Sequence, residues 1–268
     1  MRVVLLGTGG SAGVPLIGGP DGTGDWGHCD PNEPRNRRTR ASIVIEGGQG
    51  GEKGENLLVD TAPDLRAQLL ACAIPRIDAV LYTHAHADHI TGIDDVRVLN
   101  RIAGRPLEAF GTAAALTEIS ARFQYAFRPW KPPGFYRPVL EARTVTPGET
   151  VTIAGMPVQI FAQDHGAMET LGLRIGRFAY STDVARFDEA AFAALAGVDT
   201  WVLGCFTRFT PPPSHASLDR ALEWAARIGA RRTILTHMGP EMDFCWLQKN
   251  LPPGVEPGYD GMALDIPA

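Results

Sequence analysis

The 268-residue sequence predicts an α/β fold in which sets of strands are separated by helices, and three observations carry that reading. Short apolar runs recur along the chain, bounded by the glycine, proline and polar residues that end strands. Amphipathic segments with helical spacing lie between several of them. With 44% hydrophobic and 21% charged residues and no long linker or polar low-complexity tract, the chain reads as one domain, 1–268, able to bury a sizeable core.

The first residues, Met1 to Gly7, are apolar for too short a stretch to form a signal peptide and run straight into a glycine loop, so they read as a first strand over 2–6. Further strands are expected at 41–46, 56–60, 78–83, 157–164, 171–175, 178–182, 199–204 and 232–236. Gly47 to Gly54, between two of these, reads as a solvated hairpin loop without function. Helices are expected at 63–71, 112–126, 188–196 and 217–229. The last is the clearest: Leu218, Leu222 and Ala225 share a face, Ser217 can cap its start and Gly229 can end it. Arg128 to Pro138 mixes stiff prolines with three aromatics and three cations, a composition equally suited to covering a substrate and to an ordered surface loop. Such a pattern agrees with a sheet sandwich covered by helices, as it does with other α/β architectures.

A formal net charge of −5 argues against a broad polyanion-binding surface and favours a small anionic substrate. The four cysteines, Cys29, Cys72, Cys205 and Cys245, are far apart and form no CxxC pair, so neither a disulfide framework nor a cysteine-rich zinc site is indicated. Such usage suits a reducing cytoplasm, and no run is apolar and long enough to span a membrane.

The chemistry concentrates in His84-Ala-His86-Ala-Asp88-His89, three imidazoles and a carboxylate within six residues, directly after the strand-like run Asp78 to Thr83. Imidazole nitrogen and carboxylate oxygen are the donors that zinc and its transition-series neighbours accept. On a strand-exit loop, alternation lets His84 and His86 face one metal while Asp88 and His89 face a second, and Gly92 permits a turn beyond them.

This HxHxDH run resembles the signature of the metallo-β-lactamase superfamily, and the resemblance implies a four-layer αββα sandwich with two metals at one edge. It also implies later ligands, which stand in order after strand-like runs: His165, Asp183 and His237. By family position His84, His86 and His165 would hold the first metal and Asp88, His89 and His237 the second, with Asp183 bridging. Asp60 occupies the superfamily's early aspartate position and would accept a hydrogen bond from a ligand imidazole. Two divalent ions so placed would share a hydroxide nucleophile oriented by Asp88. Zinc is the default ion and manganese the competitor.

His215, in Ser214-His215-Ala-Ser217, is placed similarly to a helper histidine of the superfamily's phosphodiesterase branches, tRNase Z and the PhnP-type cyclic phosphodiesterase of the carbon–phosphorus lyase pathway. A protonated imidazole there would serve an alkoxide leaving group more than a strained lactam. Leu6 to Ile17 and Pro34 to Ser42, with Arg37, Arg38 and Arg40, also look like that pathway enzyme. The three arginines could engage phosphate, but pairing with surface acids is the safer reading. One departure stands out: where that enzyme has a cysteine-rich zinc motif, this chain has Asp25-Trp-Gly-His-Cys-Asp30, so no structural zinc is expected.

The expectation is a cytoplasmic binuclear phosphodiesterase with a small phosphodiester substrate, a cyclic phosphate or nucleotide, and no membrane partner. A tRNA 3′-processing endonuclease is the alternative, disfavoured by charge. A metal-binding carrier in a biosynthetic pathway is the alternative of another class. Lactamase, thioester and redox di-iron chemistry rank lower.

Overall fold

The computed structural model describes residues 1–47 and 54–267. Of the run 47–54 expected as a hairpin loop, residues 48–53 lie outside the described residues. The first six strands, β1 (Arg2–Gly7), β2 (Ser42–Glu46), β3 (Asn56–Val59), β4 (Ala79–Leu81), β5 (Leu107–Gly111) and β6 (Leu140–Thr144), belong to one sheet. The next seven form the other: β7 (Thr150–Ile153), β8 (Met156–Asp164), β9 (Glu169–Ile175), β10 (Phe178–Ser181), β11 (Thr200–Gly204), β12 (Arg232–Thr236) and β13 (Val255–Pro257). The last strand, β14 (Ala263–Asp265), returns to pair with β1, giving the orders β14-β1-β2-β3-β4-β5-β6 and β13-β12-β11-β10-β9-β8-β7.

Four layers follow from the period-2 alternation of these strands. Val3, Leu5, Ile43 and Ile45 of the first sheet bury against Val158, Ile160, Tyr180, Val202 and Ile234 of the second, forming the central core. Their sequence neighbours Val4, Leu6 and Val44 point the other way, under α1 (Leu65–Ala71), α2 (Ala87–Ile90), α3 (Val96–Ala103) and α4 (Ala113–Arg122). On the far side Ala179, Trp201, Leu203 and Leu235 bury under α5 (Glu189–Leu195), α6 (Leu218–Ile228) and α7 (Phe244–Asn250). Each fully buried large side chain, such as Trp201 at 0% exposure, contributes roughly 1.5–3 kcal/mol. Both outer helix layers are therefore fixed by the same strands that form the centre. No helix among the described residues is long and apolar enough to cross a membrane.

Strand direction positions the site. β3, β4, β5 and β6 pair in parallel, as do β10, β11, β12 and β13. β8 is antiparallel to β9 and β9 to β10, so β8 runs with β10. The carboxyl ends of β3 and β4, and those of β8, β10 and β12, thus gather at one edge of each sheet. A bond from the Leu171 amide to the Thr83 carbonyl, 2.9–3.2 Å being ordinary for such bonds and this one 3.1 Å, ties the sheets together there.

Candidate metal centre

Asp60, His84, His165, Asp183 and His237 all follow directly or closely on those carboxyl ends, and the fold brings them together with His86, Asp88, His89 and His215. Three ligand-capable groups result, the donor atoms within each lying within 4.8 Å of one another: His84, His86, His165 and Asp183; Asp88, His89 and His237; Asp183, His215 and His237. Asp183 belongs to two groups. It is the hub, with Oδ2 at 3.2 Å from His89 Nε2 and Oδ1 at 3.7 Å from His165 Nε2 and 3.3 Å from His237 Nε2.

Local folding differs from the expected loop in one respect. His86 is extended (φ −67°, ψ 151°) and caps α2, so alternation aligns only His84 with His86, while Asp88 and His89 sit on the first helical turn. Helical geometry, not alternation, turns the second pair toward the other sub-site. Gly92 also has a different reason to be glycine: a Cβ there would stand 2.0 Å from the Ala62 carbonyl oxygen, so close backbone approach, not a turn, excludes side chains.

The outer nitrogens of three imidazoles are held in one tautomer. The Ser214 carbonyl can only accept, so His165 donates to it through Nδ1 at 2.6 Å and leaves Nε2 as a lone pair. Asp60 accepts from the Thr83 amide (2.8 Å), from Thr83 Oγ1 (2.7 Å) and from His89 Nδ1 (2.7 Å). Because the Thr83 hydroxyl spends its proton on Asp60, it accepts from His84 Nδ1 at 3.0 Å. Asp60 therefore orders two imidazoles, one directly and one through Thr83, with both Nε2 atoms facing inward.

Those inward nitrogens are what a metal would need. Among the described residues, His84 Nε2, His89 Nε2 and both ring nitrogens of His237 are buried without a well-aligned hydrogen bond. Unpaired buried nitrogens facing carboxylates fit divalent cations held by nitrogen and oxygen donors. Backbone strain concentrates here as well: Asp60 (φ 64°), Asp183 (φ 48°) and His237 (φ 55°) occupy the left-handed region that non-glycine residues seldom adopt.

Charges are unevenly shared among these groups. Burial opposes charge on His89, but Asp183 and Asp60 outweigh it and hold this imidazole well above its ordinary range. Burial likewise opposes ionisation of Asp183 and Asp88, yet the histidines around them keep both below the usual carboxylate range. Burial raises Asp60 and lowers His84 and His165. His215, whose Nδ1 is 3.9 Å from Asp183 Oδ1, is pushed down to about 4 by burial and by His237.

Phe206 had no signal in the sequence. Its ring stacks on His215 at 4.9 Å and its edge lies 2.8 Å from where a Cβ on Gly10 would stand. The glycine loop is thus thinned to admit this ring. Its amides at Thr8, Gly9, Gly10 and Gly13 already bond to Asp260, Thr39, Met238 and Gly10, so they are not a phosphate cradle. Arg38 is buried on the Met242 carbonyl (2.6 Å), Arg40 pairs with Asp64 (3.2 Å) and Arg37 lies over Trp26, which gives all three a packing role. Cys29 is buried and bonds the Pro240 carbonyl. In the 128–138 segment Trp130 stacks on Phe135 at 4.7 Å and Arg137 bonds the Arg128 and Pro129 carbonyls, an internally packed loop.

This edge of paired imidazole and carboxylate clusters goes with a matched family model: residues 55–238 correspond to a beta-lactamase superfamily domain. The chain belongs to the β-lactamase superfamily. Its architecture is the metallo-β-lactamase sandwich. A crystal structure of a new diphosphatase from the PhnP family superimposes with a TM-score of 0.86 at 31% identity, covering 99% of this chain and 98% of that one. Zn(2+)-bound PqqB from Methylobacterium extorquens shares the fold, with a TM-score of 0.76 at 21% identity over 99% of this chain and 100% of that one. Ribonuclease Z of Mycobacterium sp. (strain KMS) is 26% identical over 234 residues, 77% of this chain and 80% of the relative. An octanoyltransferase of Porphyromonas gingivalis (strain ATCC BAA-308 / W83) is 30% identical over 263 residues, 98% of this chain. The chain spans about half the length of that relative, 51% of it.

Proposed function

We propose that this chain is a binuclear metal-dependent hydrolase of small phosphodiesters, cyclic phosphates or nucleotides, with His84, His86 and His165 holding one cation, Asp88, His89 and His237 the other, and Asp183 touching both. The observation that carries the reading is His215, set in one cluster with Asp183 and His237 and stacked on Phe206. Two divalent cations held by this set would supply neutralisation of charge on phosphoryl oxygens and a lowered pKa of water. Asp88, whose side chain is 11% exposed, sets Oδ2 toward both His89 Nε2 and His237 Nε2 and would hold the attacking water's proton. Burial and His237 push the His215 imidazole down to about 4, so an anionic substrate beside it would have to bring the proton that His215 donates. That proton then passes to an alkoxide leaving group. Likeness to a diphosphatase at 31% identity supports phosphoryl chemistry over lactam or thioester cleavage. Cleavage of a diphosphate and cleavage of a phosphodiester both proceed by attack on phosphorus with the leaving oxygen roughly in line.

The 26% identity to ribonuclease Z favours a second reading, tRNA 3′ processing, against which the net charge of −5 weighs. The octanoyltransferase name belongs to a protein of about twice the length and is not carried over. A screen of the zinc- or manganese-reconstituted protein on cyclic nucleotides, ribose cyclic phosphate, linear diesters, monoesters, a lactam and pre-tRNA tests the proposal. Diesters should be preferred by kcat/KM. A lactam or pre-tRNA preference would overturn it, and two bound metals with no turnover would leave a metal-binding carrier.

A further inference from the structure

Two of the three imidazoles in the first cluster are braced from outside, His84 by the Thr83 hydroxyl at 3.0 Å and His165 by the Ser214 carbonyl at 2.6 Å. His86 is not. It is exposed, and neither of its ring nitrogens makes a hydrogen bond among the described residues. Its ring meets those of His84 and His165 only edge-on, with centroids 4.5 and 5.1 Å apart. The aim of His86 into the cluster therefore has to come from its backbone.

An arginine behind the loop supplies that aim. Ala85 is 2% exposed, and its carbonyl accepts from Nη1 of the Arg122 guanidinium. Because a peptide unit is planar, a bond to the Ala85 oxygen also fixes the orientation of the His86 nitrogen. On the other side the His86 carbonyl accepts from the His89 amide at 3.1 Å, so both peptide planes flanking His86 are held.

Arg122 is itself fixed. It ends α4, whose Thr112 hydroxyl caps the Ala115 amide at 3.1 Å and whose Leu116 and Ile119 are buried, and its Nη2 pairs with Glu118 one turn earlier. A planar guanidinium can serve the acid and the carbonyl together, which an ammonium on a flexible stem does less well. Three residues on, the Tyr125 hydroxyl donates to Asp94, past the other end of α2. Residues 122–125 thus grip the 85–94 segment at both ends.

We propose that Arg122 is a positioning residue for the metal centre, acting through the Ala85 carbonyl to aim His86, the one imidazole of its cluster with no partner on its ring. The proposal rests on the binuclear reading and deepens it: Arg122 tunes the cation held by His84, His86 and His165 and leaves the other alone.

The test is a double-mutant cycle read by chelator competition for zinc. Arg122→Ala should weaken one of the two zinc affinities by roughly tenfold, the lower end of what a residue supporting a ligand contributes, with Arg122→Lys recovering part of it. Added to His237→Ala, it should weaken the remaining zinc by the same factor, because the first cluster is intact. Added to His86→Ala, it should change nothing further, because the ring being aimed is gone. Arg128→Ala, at an arginine bonded to Gln124 on the same stretch of chain, should match the wild type. Two unchanged affinities in Arg122→Ala would overturn the proposal. So would equal losses in the His86→Ala and His237→Ala backgrounds, which would mean a general loosening of the fold. If the wild type binds no zinc, the binuclear reading fails separately. Imidazole NMR of the chelator-treated protein then decides Arg122: the His86 ring signals should shift in Arg122→Ala while those of His237 stay, and unmoved His86 signals overturn the positioning role.

Discussion

Asp60 shows how much of the centre depends on a residue that touches no substrate. Its oxygens accept two bonds from Thr83 and one from His89, and through Thr83 they also fix His84. Asp60→Asn keeps a side chain that tolerates the φ of 64°, yet puts a donor where an acceptor is required. Metal affinity, read by chelator competition, should fall roughly tenfold to a hundredfold; an unchanged affinity would strip Asp60 of this role. Asp183 and Asp88 separate on metal content. Asp183→Ala should deplete both sub-sites because its carboxylate clusters with His84, His86 and His165 and also lies 3.2 Å from His89 Nε2 and 3.3 Å from His237 Nε2, whereas Asp88→Asn should chiefly weaken the one with His89 and His237. Two tightly held metals in Asp183→Ala would rule out the bridging position. His215→Ala should slow an alkoxide diester by roughly 10²- to 10⁴-fold and an activated aryl diester much less, since only the alkoxide needs a proton to depart. Equal losses with metals intact would make His215 a charge stabiliser instead. The HxHxDH run and the later ligands were legible because their residue types are chemically unambiguous. Thr83, the Ser214 carbonyl and Phe206 were not, because a hydroxyl, a backbone oxygen and a phenyl ring carry no mark of position until the fold supplies one.

Among the strands, a place inside the sheet decided most of what was legible, with β5 the exception. The expected strands over 2–6, 41–46, 56–60, 178–182 and 232–236 lie centrally and read as nearly unbroken apolar runs, matching β1, β2, β3, β10 and β12. The strands with no expectation were β5 and the four sheet edges, β6, β7, β13 and β14. An edge strand shows one side to water and tolerates residues that a central one excludes: β6 is exposed at all but its first residue and β13 ends in Pro257. Helices followed the same logic. The segment 217–229 is α6 with Ser217 as cap and Gly229 left-handed at its end, while α2 was hidden because its four residues are half ligand. The short turn after α2 gives an element-scale prediction. It packs backbone to backbone, with the Gly92 amide on the Thr61 carbonyl at 2.9 Å and no room for a Cβ beside Ala62. Gly92→Ala should therefore destabilise by about 1–3 kcal/mol, as overpacking does, and loosen metal binding by moving α2. A Tm and metal affinity equal to wild type would show that the turn yields freely.

Over the whole molecule, the sandwich makes stability and metal binding one problem, because β3 and β4 of one sheet and β8, β10 and β12 of the other each end in a residue of the centre. That convergence was beyond the sequence: which strands are parallel is set by pairing across distant segments, and no local pattern encodes it. It leads to a dependence on pH whose sign can be worked out. His84, His165 and His215 are held below their ordinary range in the metal-free fold, His215 at about 4, so the unfolded chain binds more protons than the folded one below about pH 6.5. Their contribution is present above that pH and lost as pH falls toward 4. His89 works with the opposite sign, since its raised pKa adds stability below about pH 6.5 that disappears as pH rises through its folded value. Metal-free protein should accordingly be most stable near pH 6.5 and lose Tm on both sides. Cations compete with the same protons and bind folded protein alone, adding about 4 kcal/mol per site at a thousandfold excess over Kd. The gap in Tm between loaded and chelator-treated protein should then widen steadily from pH 5 to pH 8, as His89 in particular is forced to give up its proton. Calorimetry across that range checks it, and a gap that stays constant or narrows with rising pH would mean that these imidazoles are not what the metal displaces protons from.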